Sequence, residues 1–191
     1  DTYRMMFRAI KTYKISNEVL MKIIKIFDDK IQNLEMLDEK RYKLTFQGLE
    51  IQLTDSELFY MLSSGTTKGI LQYVFVVAAL ENGFDLLIDE VENHFHKTLV
   101  ENMISLFKDK TVNKKSATLI FTTHYCEVLD LFNRQDNIWI AKSKDKIQLD
   151  NMYETYSIRP ELLKSRQFYN NAFDTSVNYN DLMALKKELM K

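Results

Sequence analysis

The period of the apolar positions changes along the chain, and each change predicts a different element. From Ser16 to Asp38 the spacing is helical: Leu20, Ile24, Phe27, Ile31 and Leu34 follow at intervals of 4, 3, 4 and 3. This predicts one helix with Ser16 as its N-cap, packed on a core or in a short helical hairpin. The stripe stops short of the heptads that a coiled coil sustains. The period then falls to two. Tyr42, Leu44 and Phe46, then Leu49, Ile51 and Leu53, alternate with Lys43, Thr45, Glu50 and Gln52, which predicts a hairpin with arms at 41–46 and 49–54. Gln47-Gly48 is its two-residue turn, with Gly where positive φ is required.

Beyond Ser63 the pattern changes again. Lys68 to Asn82 is apolar over too long a run for a strand and ends at Gly83, a helix C-cap. Phe84–Asp89 reads as a short buried strand, Phe95–Lys108 as a helix, and Ala117–Thr122 as a second strand. A short helix near Glu127–Phe132 leads to a third strand at Asn137–Ala141, with Lys146–Leu149 pairing back onto it. Strand and helix alternating at this spacing predict an α/β chain with a mostly parallel sheet. The tail from Tyr153 is less periodic, with one helix expected after Pro160 and another over Asp181–Met190.

Composition narrows the class. Of 191 residues 46% are hydrophobic and 28% charged, a globular balance that excludes an intrinsically disordered chain. Lys and Arg number 26 against 27 Asp and Glu, so no global basic field argues for nucleic acid. The single cysteine, Cys126, excludes an internal disulfide framework and any multi-cysteine zinc site, and fits a reducing compartment. No apolar run reaches the roughly 18 residues of a membrane span. A cytoplasmic chain is expected, with no signal peptide at Asp1, and it reads as a processed chain or a piece of a longer one.

Three stretches carry chemistry. Phe84-Asp85-Leu86-Leu87-Ile88-Asp89-Glu90 is an apolar strand ending in two carboxylates, which places Asp89 and Glu90 at the carboxyl edge of a parallel sheet, where ligands of open α/β folds bind. In nucleotide hydrolases such a pair holds magnesium and activates the attacking water. Leu62-Ser63-Ser64-Gly65-Thr66 opens a long helix, where hydroxyls and backbone N–H groups offer an anion site or simply an N-cap. Phe121-Thr122-Thr123-His124 places a histidine at the exit of the next strand.

In this order and at this spacing, the three resemble the second half of an ABC-type ATPase head. The likeness is to the soluble, non-transporter branch: AAA-type ATP-binding proteins akin to the OLD-family and SMC-like heads of bacterial defence systems. It covers residues 56–145, about half of the chain. The resemblance implies that Leu62–Thr66 is the signature motif, Asp89 and Glu90 the Walker B pair and His124 the switch histidine. Asn93, His94 and His96 fall on the D-loop. Ser64 and Thr66 stand where transporters have Gly and Gln, and His96 where they have Asp. The cofactors implied are ATP and Mg2+, with Asp89 the metal residue, Glu90 and His124 catalytic, and Ser63, Ser64, Gly65 and Thr66 contacting a nucleotide held by the partner. Asp89, Glu90 and His124 are then expected together, with Ser64 well away from Glu90 in one chain. The implied division is a helical lobe segment at 1–40, the C-terminal half of the ATPase core at 41–150 and a helical extension at 151–191.

A P-loop is absent. It needs G-x-x-x-x-G-K-[ST], and the four glycines here precede Leu49, Thr66, Ile70 and Phe84, never lysine. The chain therefore reads as the C-terminal part of a head whose phosphate-binding half lies elsewhere.

Plainer readings stand beside these. His94 and His96 form an H-x-H pair with only Glu90 and Glu92 nearby to complete a metal site. Cys126 is most simply a packed side chain, and Lys108, Lys110, Lys114 and Lys115 a solvated face. Arg159, Lys164 and Arg166 with Tyr169 read as a charged helix face or a nucleic-acid contact. The leading expectation is an ATP-hydrolysing head that dimerises around ATP to drive a conformational switch, with a homodimer, a partner ATPase half, an effector protein or nucleic acid as partners. The alternatives are a non-catalytic module pairing with a P-loop-bearing chain, and a metal-dependent nuclease using Asp89, Glu90 and Glu92.

Overall fold

The computed structural model describes residues 2–38, 40–92, 95–143, 146–159, 161–175 and 180–190. The chain is mixed α/β and divides into two compact units, Asp1–Thr123 and His124–Lys191. The first contains α1 (Thr2–Thr12), α2 (Asn17–Phe27), β1 (Ile31–Met36), β2 (Arg41–Phe46), β3 (Leu49–Thr54), α3 (Asp55–Met61), α4 (Ser64–Asn82), β4 (Leu86–Ile88), α5 (Lys97–Lys108) and β5 (Leu119–Phe121). The second contains a 3-10 helix (Cys126–Leu131), β6 (Trp139–Ser143), β7 (Ile147–Asn151), α6 (Met152–Thr155), α7 (Lys164–Tyr169) and α8 (Asn180–Leu189).

α4 is the spine of the first unit. Ile70, Val74, Val76, Ala78 and Ala79 are almost fully buried, on several sides of the helix, as expected of a helix packed all round. α1 and α2 pack on it. Gly69 makes the α2 contact possible, because a Cβ there would overlap the Phe27 ring. Phe27 in turn lies against Tyr73 and Phe95, with ring centroids 5.4 and 5.7 Å away. The helix stops at Gly83, a left-handed C-cap at φ 80°.

The expected single helix over 16–38 is corrected. Ser16 caps α2 through a bond from the Val19 amide (3.2 Å), but the helix ends at Phe27. The Asp28 carboxylate accepts from the Lys30 amide at 3.0 Å, and the chain leaves as β1, paired antiparallel to β2. A register shift between Ile31 and Asn33 inserts one residue, so Ile31 and Leu34 are both buried despite their odd spacing. The bulge imitates a helical i, i+3 interval. The hairpin arms lie at 41–46 and 49–54 as expected, completing an antiparallel sheet of order β1-β2-β3. A Thr54–Glu57 capping box turns β3 into α3.

The expectation of a mostly parallel sheet is also corrected. β4 and β5 pair in parallel, Leu86 with Leu119 through Ile88 with Phe121, but the other ladders among the described residues are antiparallel. β6 pairs antiparallel with β7, Ser143 opposite Ile147, as expected of Lys146–Leu149 pairing back.

The second unit has its own core of Ile138, Ile140, Met152 and Phe173. On the hairpin, the Lys142 ammonium pairs with Asp150 at 2.5 Å, both side chains being nearly covered. The Tyr156 hydroxyl (2.9 Å) and the Gln148 amide (3.0 Å) donate to the same carboxylate. The Asp130 carboxylate accepts from the Ser165 amide at 3.1 Å, joining the 3-10 helix to α7. Among the described residues, no helix is long and apolar enough to cross a membrane.

Candidate functional site

β4 ends at Ile88, and the next three residues wrap around Thr122 at the end of β5. The Thr122 amide donates to the Ile88 carbonyl at 3.1 Å, and the Val91 amide donates to the Thr122 carbonyl at 3.0 Å. The Thr122 hydroxyl donates to Asp89 Oδ1 at 2.6 Å and accepts from the Glu90 amide at 2.7 Å. Glu90 takes φ 50°, the left-handed region that a side-chain-bearing residue rarely occupies. Both carboxylates are exposed at the carboxyl edge of the parallel pair, where the sequence places them.

α4 supports this turn from the other side. The Gln72 amide donates to the Val91 carbonyl at 3.3 Å. One turn earlier, Lys68 lines an open groove of about 340 Å³ together with Gln72, Asp89 and Glu90. Leu71, Phe75, Leu86 and Ile88 supply its apolar surface. Lys68 is four residues beyond Ser64, so the second turn of α4 and the acid pair face one groove within a single chain.

The start of α4 is an ordered cap. The Ser63 hydroxyl accepts from the Thr66 amide at 3.0 Å and lies 2.9 Å from the Thr66 hydroxyl, while the Thr67 hydroxyl donates to the Ser63 carbonyl at 3.2 Å. Ser63 and Ser64 are exposed and Gly65 and Thr66 half-buried. Ser64 and Gly65 therefore hold the first-turn positions of a 19-residue helix, where backbone N–H groups lack intrahelical acceptors.

Of the D-loop residues, Asn93 and His94 lie outside the described residues. His96 is the N-cap of α5, its Nδ1 accepting from the Thr98 amide at 3.3 Å. His124 opens the second unit and is exposed. Cys126 is buried, as the packed reading expects. Lys108, Lys110, Lys114 and Lys115 are exposed. Lys164 is buried in α7, so it is not part of a solvated charged face with Arg159 and Arg166.

Sequence reasoning missed Thr122, Lys68 and Gln72. Thr122 stood inside the noticed Thr122-Thr123-His124 stretch, but only the strand register brings its hydroxyl to Asp89. Lys68 and Gln72 carried a faint signal: they are polar side chains four residues apart that break the apolar run of 68–80. No protein-family model matches the chain, and no curated protein matches it in sequence.

Proposed function

We propose that this chain contributes the C-terminal part of an ABC-type ATPase head. In this reading Asp89 and Glu90 serve a nucleotide bound in the same head, and the start of α4 serves one bound by a partner. The observation that carries it is the Glu90 backbone: a carboxylate-bearing residue held at φ 50° just beyond a strand end and bonded to the next parallel strand. Strain of this kind costs on the order of 1–3 kcal/mol and gathers at functional sites.

Magnesium keeps several of its waters and takes one or two carboxylates plus substrate phosphates. A single exposed carboxylate at a strand end, oriented by a hydroxyl, suits that demand. Among the described residues, no group of three or more His, Cys, Asp or Glu side chains is placed to hold a metal unaided. Asp89 would hold the ion, which would neutralise charge on the phosphate oxygens. Glu90 accepts a proton from the attacking water, and His124 senses the terminal phosphate. Ser64 and Gly65, at the positive end of α4, offset phosphate charge across a dimer interface formed with a second copy or with a P-loop-bearing chain. The phosphate cradle itself comes from a P-loop segment outside residues 1–191, because none of the four glycines here precedes a lysine.

The test combines this chain with a P-loop-bearing segment to make a complete head and follows ATP hydrolysis and sedimentation. The complete head hydrolyses ATP. Glu90→Gln lowers turnover by about 10²–10⁴ and accumulates an ATP-bound dimer. Hydrolysis by residues 1–191 alone, or a Glu90→Gln protein that binds ATP yet stays monomeric, overturns the proposal.

A further inference from the structure

Thr122 is bonded through every polar atom it has to the four residues from Ile88 to Val91. Its amide and carbonyl continue the parallel ladder past the end of β4, to Ile88 and Val91. Its hydroxyl does something a ladder cannot: it donates to one carboxylate, on Asp89 (2.6 Å), and accepts from the amide of the next residue, Glu90 (2.7 Å). A hydroxyl is the smallest side-chain group that can do both at one atom. We propose that Thr122 is the positioning residue of the acid pair, its hydroxyl holding Glu90 in the left-handed conformation and fixing the rotation of the Asp89 carboxylate.

The chemistry requires both roles. Glu90 at φ 50° aims its side chain differently from a residue that continues β4, and an unassisted Glu relaxes to negative φ. The Glu90 amide bond to Thr122 Oγ1 is the tie that opposes this relaxation, assisted by the Val91 amide bond to the Thr122 carbonyl and by Gln72 on the Val91 carbonyl. The bond to Asp89 Oδ1 fixes that carboxylate's rotation, and in the ATPase reading Oδ2 would be the oxygen that faces a magnesium-bound water. One side chain just beyond β5 thus sets the direction of both acids just beyond β4. The inference rests on the ATPase reading for its catalytic meaning, but not for its structural content.

Two substitutions isolate the hydroxyl. Thr122→Val keeps the β-branched shape and removes the donor and acceptor; Thr122→Ser keeps both. In residues 1–191, amide exchange at Glu90 is expected to accelerate about tenfold or more in Thr122→Val, with the Leu87 and Ile88 amides unchanged, and to stay near the parent rate in Thr122→Ser. In the complete head, Thr122→Val is expected to lower kcat about 10- to 100-fold with KM for ATP within about twofold, and Thr122→Ser to recover most of the loss. Unchanged Glu90 exchange in Thr122→Val overturns the inference, as does faster exchange with unchanged turnover in an active head. If the complete parent head hydrolyses no ATP, the ATPase reading fails, and exchange at Glu90 still decides whether Thr122 holds the acid pair.

Discussion

Leu87 on β4 and Ile120 on β5 stand directly opposite one another in the parallel register, yet they are 73% and 53% exposed. Their neighbours Leu86, Ile88, Leu119 and Phe121 are half-buried, so one face of the pair is packed and the other open. Parallel strands are ordinarily covered on both faces. In the half-head reading, the P-loop segment covers this one. Leu87→Glu is therefore expected to change the stability of residues 1–191 by no more than about 0.5 kcal/mol, as for an exposed site. The same substitution is expected to abolish association with a co-expressed P-loop segment. Equal recovery of wild-type and Leu87→Glu complexes by size exclusion would show that this face is not the joint.

Glu90 is expected to trade stability for position. Glycine occupies φ 50° without the Cβ clash, while its extra unfolded-state freedom offsets about 0.5–1 kcal/mol of the relief. Glu90→Gly should thus leave stability unchanged or raise it by up to about 2.5 kcal/mol, read as an unchanged or higher urea midpoint, while removing the proposed base. A loss of more than 1 kcal/mol would show that the Glu90 side chain stabilises the fold.

Gly69→Ala is expected to separate α2 from α4, because the added methyl occupies the space of the Phe27 ring. Overpacking of this kind costs about 1–3 kcal/mol. Phe27→Leu in the Gly69→Ala background should recover part of that cost, a coupling readable in a double-mutant cycle by chemical denaturation. Strict additivity would mean that the two residues are not in contact.

The Lys142–Asp150 pair makes the stability of the second unit depend on pH. The Lys142 ammonium, then the Tyr156 hydroxyl, hold the Asp150 carboxyl below its ordinary value, and the Asp150 carboxylate raises the lysine. A depressed acid stabilises above its unfolded value, about 3.9, and loses that contribution as pH falls through the lower folded value. A raised lysine contributes fully below about 10.4 and loses its contribution as pH rises through the higher folded value. The pair's contribution to stability should therefore be constant between these limits and be lost on both sides. Asp150→Asn should be less stable at neutral pH and show a shallower decline from pH 5 to pH 2 in urea titrations. Identical acid limbs for the two proteins would remove Asp150 as a source of the dependence.

Local chemistry was legible in the sequence alone. The 41–46 and 49–54 arms, the Ser16 cap and the Gly83 stop each follow from a few neighbouring residues, and the structure places them there. The exposed Asp89-Glu90 pair beyond an apolar run was equally readable, because a strand's end is marked where its apolar run ends. Tertiary structure decided what depends on partners distant in the chain. Ile31 and Leu34 continued a helical interval, but pairing with β2 and one bulged residue made them a strand, since cross-strand bonding and burial outweigh a weak local preference. Thr122 meets Asp89 across 33 residues of chain. No local pattern encodes that bond; it exists because the parallel register sets the two strand ends side by side.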